Sequence, residues 1–62
     1  MPMIHVELLK GRSNEQKREF AEMVTREAAR ILKCSLDAVD VVFADVEPEN
    51  WATGGKLAAD KK

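Results

Sequence analysis

The chain has 62 residues, of which 34% are charged, yet ten Lys or Arg stand against eleven Asp or Glu and the net charge is only −1. That balance lacks the basic patch a nucleic-acid partner requires, and no apolar run approaches the roughly 18 residues of a membrane span. A single cysteine, Cys34, excludes an internal disulfide, and a single histidine, His5, without a Cys/His cluster excludes a zinc site. With no signal-like segment, the expected setting is soluble, reducing and cytoplasmic. One domain over residues 1–62 is expected. A chain this short buries only about 60% of its unfolded surface when it folds alone. Without a disulfide or a metal, oligomerisation is the remaining support.

Met1-Pro2-Met3-Ile4-His5-Val6-Glu7-Leu8-Leu9 opens the chain. From Met3 to Leu9 the side chains alternate. Ile4, Val6 and Leu8 form one aliphatic face, and Met3, His5, Glu7 and Leu9 form a mixed one. This predicts a strand whose aliphatic face meets a helix. Pro2 admits two readings. Proline is a natural first residue of an edge strand, where its missing N–H costs nothing. If Met1 is removed, however, Pro2 carries a free secondary amine. An α-amino group titrates at about 7.7–8, and an apolar pocket or nearby cations lower that value toward neutrality, where a general base is most useful. His5 has no visible partner to orient it and reads as a partly buried interface residue.

Lys10-Gly11-Arg12 ends the alternation. Ser13-Asn14-Glu15-Gln16 then has the form of a capping box, with Ser13 as N-cap and Gln16 reaching back. The spacing predicts a helix from Asn14 to about Lys33, with Phe20, Ala21, Val24, Ala28, Ile31 and Leu32 as its apolar stripe. Arg12 alone reads as a solvated turn residue before that helix. Cys34 has no cation, base or helix N-terminus nearby in sequence to activate it, and reads as structural. Ser35 to Ala38 suits one helical turn. Val39 to Val46 is rich in β-branched residues and predicts a second strand.

Strand, long helix and strand give an α/β fold, a βαβ unit with a right-handed crossover and parallel strands. Its sheet has bare edges and must be completed by a partner subunit. Pro48 halts the second strand, Trp51 follows, and Gly54-Gly55 falls where a tight hairpin needs positive φ. The tail from Ala52 to Leu57 is expected to be an arm that pairs with a neighbouring chain, and residues 58–62 are expected to fray.

Taken together, Pro2, the segment Gly11-Arg12-Ser13-Asn14-Glu15-Gln16-Lys17, and Trp51 followed by Gly54-Gly55 resemble the 4-oxalocrotonate tautomerase family over nearly the whole chain. The resemblance implies a βαβ protomer with a C-terminal hairpin, paired into dimers and usually assembled as a homohexamer, with the dimer as the alternative assembly. It implies an isomerase, a keto–enol tautomerase that needs no cofactor and no metal and takes a small-molecule carboxylate as substrate. By the same resemblance Pro2 is the catalytic base, Arg12 binds the substrate carboxylate, and Trp51 and Leu9 form apolar wall. One departure stands out. Family members that handle dicarboxylates often carry an arginine in the second strand where this chain has Asp40, a reversal that favours a monocarboxylate. Alternatively, Asp40 points to solvent or pairs at a subunit boundary. Two other functions remain open. One is a cofactor-free dehalogenase or hydratase of the same superfamily, with Asp40 activating water. The other is a non-catalytic oligomeric scaffold.

Overall fold

The computed structural model describes residues 2–61. The expected loss of Met1 therefore lies outside the described residues, as does the fraying expected at Lys62. Strand β1 spans Met3–Leu9, helix α1 Asn14–Leu32 and strand β2 Asp40–Val46; β3 (Ala52–Thr53) and β4 (Lys56–Leu57) form a short hairpin. Strands β1 and β2 run parallel in continuous register, from Met3 opposite Asp40 to Leu9 opposite Val46. This is the expected βαβ unit. The C-terminal hairpin is antiparallel, with Ala52 opposite Leu57 and Thr53 opposite Lys56. Gly54 and Gly55 make its turn at φ +62° and +81°, the pair of positive values that a two-residue type I′ turn demands.

The helix begins where the sequence predicts. The Gln16 backbone N–H donates to Ser13 Oγ at 3.1 Å, and the Ser13 N–H donates to Gln16 Oε1 at 2.9 Å, satisfying both ends of the capping box. It stops one residue early. Lys33 adopts φ +57°, and its N–H and that of Cys34 both reach back to the Ala29 carbonyl, so helical hydrogen bonding closes on itself there. Strand β2 likewise starts at Asp40 rather than Val39. The Val39 N–H is already used by Leu36 O at 3.2 Å, closing a 3₁₀ turn over Leu36–Ala38.

Ile4, Val6 and Leu8 are half-buried and alternate with exposed Met3, His5 and Glu7. Because paired residues of a parallel ladder point the same way, Val41 and Phe43 extend the aliphatic face of β1. Ala21, Val24 and Ala28 of α1 are half-buried as the predicted stripe requires, and the Phe20 and Phe43 rings meet edge to face at 6.2 Å between centroids. The stripe does not hold over its whole length. Phe20 is 40% exposed, and Ile31 and Leu32 are 60% and 58% exposed. A seven-residue strand pair is shorter than a 19-residue helix, at roughly 23 Å against 28 Å, and the helix overhangs it. Among the described residues the sheet of β1 and β2 has no third strand to cover the far rim.

The tail is ordered where fraying was expected. Residues Ala58–Asp60 form a 3₁₀ turn, held because the Ala58 N–H donates to the Trp51 carbonyl at 2.7 Å. Among the described residues no side chain is fully buried, and no helix is long and apolar enough to cross a membrane.

Candidate functional site

Parallel pairing gives the sheet two chemically different ends. At the N-terminal end, the Asp40 backbone N–H donates to the Pro2 carbonyl at 3.0 Å, so β2 begins beside the residue that precedes β1. Pro2 is half-buried and Asp40 is exposed. By register and alternation Asp40 shares with Met3 the sheet face turned away from α1. The Pro2 carbonyl is thereby fixed to the sheet, which anchors the ring nitrogen of the same residue.

At the other end the Lys10 N–H donates to the Val46 carbonyl at 2.9 Å, and Lys10 Nζ meets Glu47 Oε1 at 3.1 Å. The ladder is thus tied off on both strands. Gly11, at φ +128°, then turns the chain into the helix, a conformation that a side chain would strain. Arg12 sits between this turn and the Ser13 cap. It lines an open groove of about 200 Å³ between the first turns of α1 and the sheet, with Val6, Leu8, Gln16, Lys17, Phe20 and Phe43. The groove is mostly hydrocarbon. Its second cation is already engaged, since Lys17 Nζ lies 2.8 Å from Asp45 Oδ2. Among the described residues no carboxylate lies within ion-pair distance of Arg12. Arg12 therefore presents a guanidinium beside an apolar wall, a suitable seat for a carboxylate attached to a hydrocarbon body.

Of the residues singled out in the sequence, Arg12 and Leu9 lie at the far end of β1 from Pro2 and Asp40. Strand β1 alone holds Pro2 and Arg12 on the order of 20 Å apart within one chain. Leu9 is half-buried on the sheet face away from the groove. Trp51 is half-buried in the arm that leaves the Arg12 end, where it closes the 3₁₀ turn over Pro48–Asn50. The sequence reading missed the groove wall of Gln16, Lys17, Phe20 and Phe43. Gln16 and Phe20 are one helical turn apart, and this was the available signal. That Phe43 and Asp45 lie opposite them depends on strand register, which no local pattern discloses.

The family model described as "Tautomerase enzyme" matches residues 2–61. This chain belongs to the tautomerase family. A protein of Halalkalibacterium halodurans named as a probable tautomerase is 33% identical over 61 residues, covering 98% of this chain and all of that one. A solved structure described as a 4-oxalocrotonate tautomerase homologue superposes with a TM-score of 0.94 at 39% identity, covering 100% of this chain and 98% of its own. A chain from the heterohexamer 4-oxalocrotonate tautomerase of Chloroflexus aurantiacus J-10-fl also reaches 0.94, at 32% identity, with both chains fully covered. This member of the tautomerase family thus shares its fold with 4-oxalocrotonate tautomerase homologues along its entire described length, and its relatives support a tautomerase-superfamily function.

Proposed function

We propose that this protein is a cofactor-independent keto–enol tautomerase of small 2-oxo or 2-hydroxy-enoate carboxylic acids, with Pro2 as the proton-transferring group. The observation that carries the reading is the family match, which runs from Pro2 through the Arg12 turn to the C-terminal hairpin. Removal of Met1 converts the Pro2 nitrogen from an amide to a basic amine. That amine takes the proton from the enol hydroxyl. As the C–O bond becomes a carbonyl, the enol double bond delivers its electron pair to the adjacent carbon, which receives the proton back. Atoms and electrons balance without an added oxidant or reductant. Arg12 holds the carboxylate and draws charge toward it, while Trp51 excludes water.

One chain cannot assemble this constellation, because Pro2 and Arg12 lie at opposite ends of β1. The unpaired edge of β1 offers a solution. Two copies joined edge to edge about a two-fold axis run antiparallel. Centred on Val6, such a pair sets Pro2 of one copy opposite Lys10 of the other, two residues from Arg12. A site shared between copies in this way makes the protein an obligate homo-oligomer, of which the hexamer is the form we favour.

The test combines the intact mass of the purified protein with an ultraviolet assay of enol ketonisation. The natural protein should lack its initiator methionine and turn over a 2-hydroxy-enoate. Pro2→Ala should lower kcat at least about a hundredfold, the low end of what a positioned acid–base group supplies. Equal rates for the two proteins would refute the proline mechanism.

A further inference from the structure

The free edge of β1 carries a pattern that matches itself when reversed. The Asp40 N–H donates to the Pro2 carbonyl, and the Lys10 N–H donates to the Val46 carbonyl. Alternate residues of a strand aim their backbone groups at opposite edges, so the even-numbered residues of β1 serve β2. The N–H and C=O groups of Met3, His5, Glu7 and Leu9 line the other edge, which has no partner strand among the described residues. The side chains of the same residues share the sheet face turned away from α1. The His5 and Glu7 side chains are more than half exposed there, with His5 Nε2 at 3.5 Å from Glu7 Oε2. Across the ladder Val42 stands beside His5 and Ala44 beside Glu7, while Asp40 lies next to Met3. Strand β2 therefore sets no opposite charge beside either residue.

Along the edge the order is apolar, base, acid, apolar. In the antiparallel pairing centred on Val6, Met3 of one copy faces Leu9 of the other and His5 faces Glu7, each contact occurring again about the two-fold axis. All free backbone donors and acceptors of the edge are then paired. A slip that keeps both helices on one side of the sheet shifts the strands by two residues. It sets His5 against His5 or Glu7 against Glu7, and leaves one end of each edge unpaired. Opposite charges directly across a ladder stabilise it, and like charges destabilise it. From this pattern, and resting on the edge pairing invoked above for the shared site, we infer that His5 and Glu7 of two copies form a ring of alternating charges at the two-fold axis, which fixes the register of assembly. The partner that this surface fits is a second copy of the same chain, and the register decides which residue of one copy meets Pro2 of the other.

The experiment measures, by sedimentation of the full chain, the concentration at which half of the chains are dissociated. It is run at about pH 5.5, where carboxylates are ordinarily ionised and imidazoles protonated. His5→Glu makes the ring wholly acidic and should raise that concentration at least about tenfold. The double variant His5→Glu with Glu7→His exchanges the charges, keeps the pattern, and should return close to the wild-type value. Moderate salt should weaken association of the wild type and of the exchanged protein but strengthen that of His5→Glu, a change of sign that a folding defect does not produce. Register is read with Val6→Cys in a Cys34→Ser background. The two thiols then stand across the axis with Cα atoms roughly 4.5 Å apart, within disulfide reach, and mild oxidation should link the copies. Association unmoved by His5→Glu, or an exchanged protein no better than the single variant, overturns the charge ring. Absence of the cross-link overturns the register and this inference with it. Neither result touches the effect of Pro2→Ala on enol ketonisation, which tests the tautomerase reading separately.

Discussion

Ser13 and Gln16 show how a local sequence rule shapes the candidate site. Their reciprocal bonds satisfy two backbone N–H groups at the start of α1, and Gln16 is also part of the groove wall beside Arg12. Ser13→Ala removes the acceptor for the Gln16 N–H and should cost about 1 kcal/mol of stability, measurable as a lower urea midpoint at fixed protein concentration. The side chain of Gln16 keeps its bond from the backbone N–H of residue 13, so KM for a carboxylate substrate should stay close to the wild-type value in the same variant. This pair was fully legible in the sequence, since a capping box is written within four consecutive residues. Asp40 was only half legible. Its place in the second strand could be read, but its hydrogen bond to Pro2 joins residues 38 positions apart and depends on the pairing of β1 with β2.

Among the elements, the helix and the two long strands follow from periodicity and capping, whereas their limits were set by competition for backbone hydrogen bonds. Val39 is lost from β2 because its N–H serves Leu36, and Lys33 is lost from α1 because it turns left-handed. The exposure of Ile31 and Leu32 was not legible, since an apolar stripe specifies which side of a helix seeks cover and not how far the chain can supply it. The hairpin is the reverse case, with two adjacent glycines stating their purpose. No heavy atom lies within 4 Å of a side-chain carbon added at Gly55, although its φ is +81°. The cost of Gly55→Ala is therefore purely conformational, and it should lower unfolding free energy by about 1 kcal/mol, seen in denaturant titration. A steric clash in the assembled protein would enlarge that value and place the turn at a subunit contact.

As a whole, the single chain is a thin, long body of 42 × 23 × 13 Å with a radius of gyration of 14.6 Å. A self-contained domain of this length has a radius of about 11 Å. Its surface of 4939 Å² exceeds by roughly 900 Å² what a monomeric protein of its mass presents, about the area one partner contributes to a standard interface. The excess falls where Met3, Ile31, Leu32 and Leu36 are more than half exposed. If the proposed site takes Pro2 from one copy and Arg12 from another, two crippled chains should repair each other. Pro2→Ala and Arg12→Ala proteins, unfolded together and refolded as an equal mixture, should regain about a quarter of wild-type activity, because half of the random pairs are mixed and each carries one intact site. Either variant refolded alone should stay inactive, and a mixture no better than its parts would place both residues in one chain's site.

The length of β1 carries one more consequence. On the proposed mechanism, a strand that keeps the proline and the guanidinium at its two tips leaves a lone polypeptide catalytically mute, however well it is folded. Turnover per chain then becomes a function of how crowded the protein is with its own kind. Dilution alone silences the proposed chemistry, and synthesis past the association threshold switches it on.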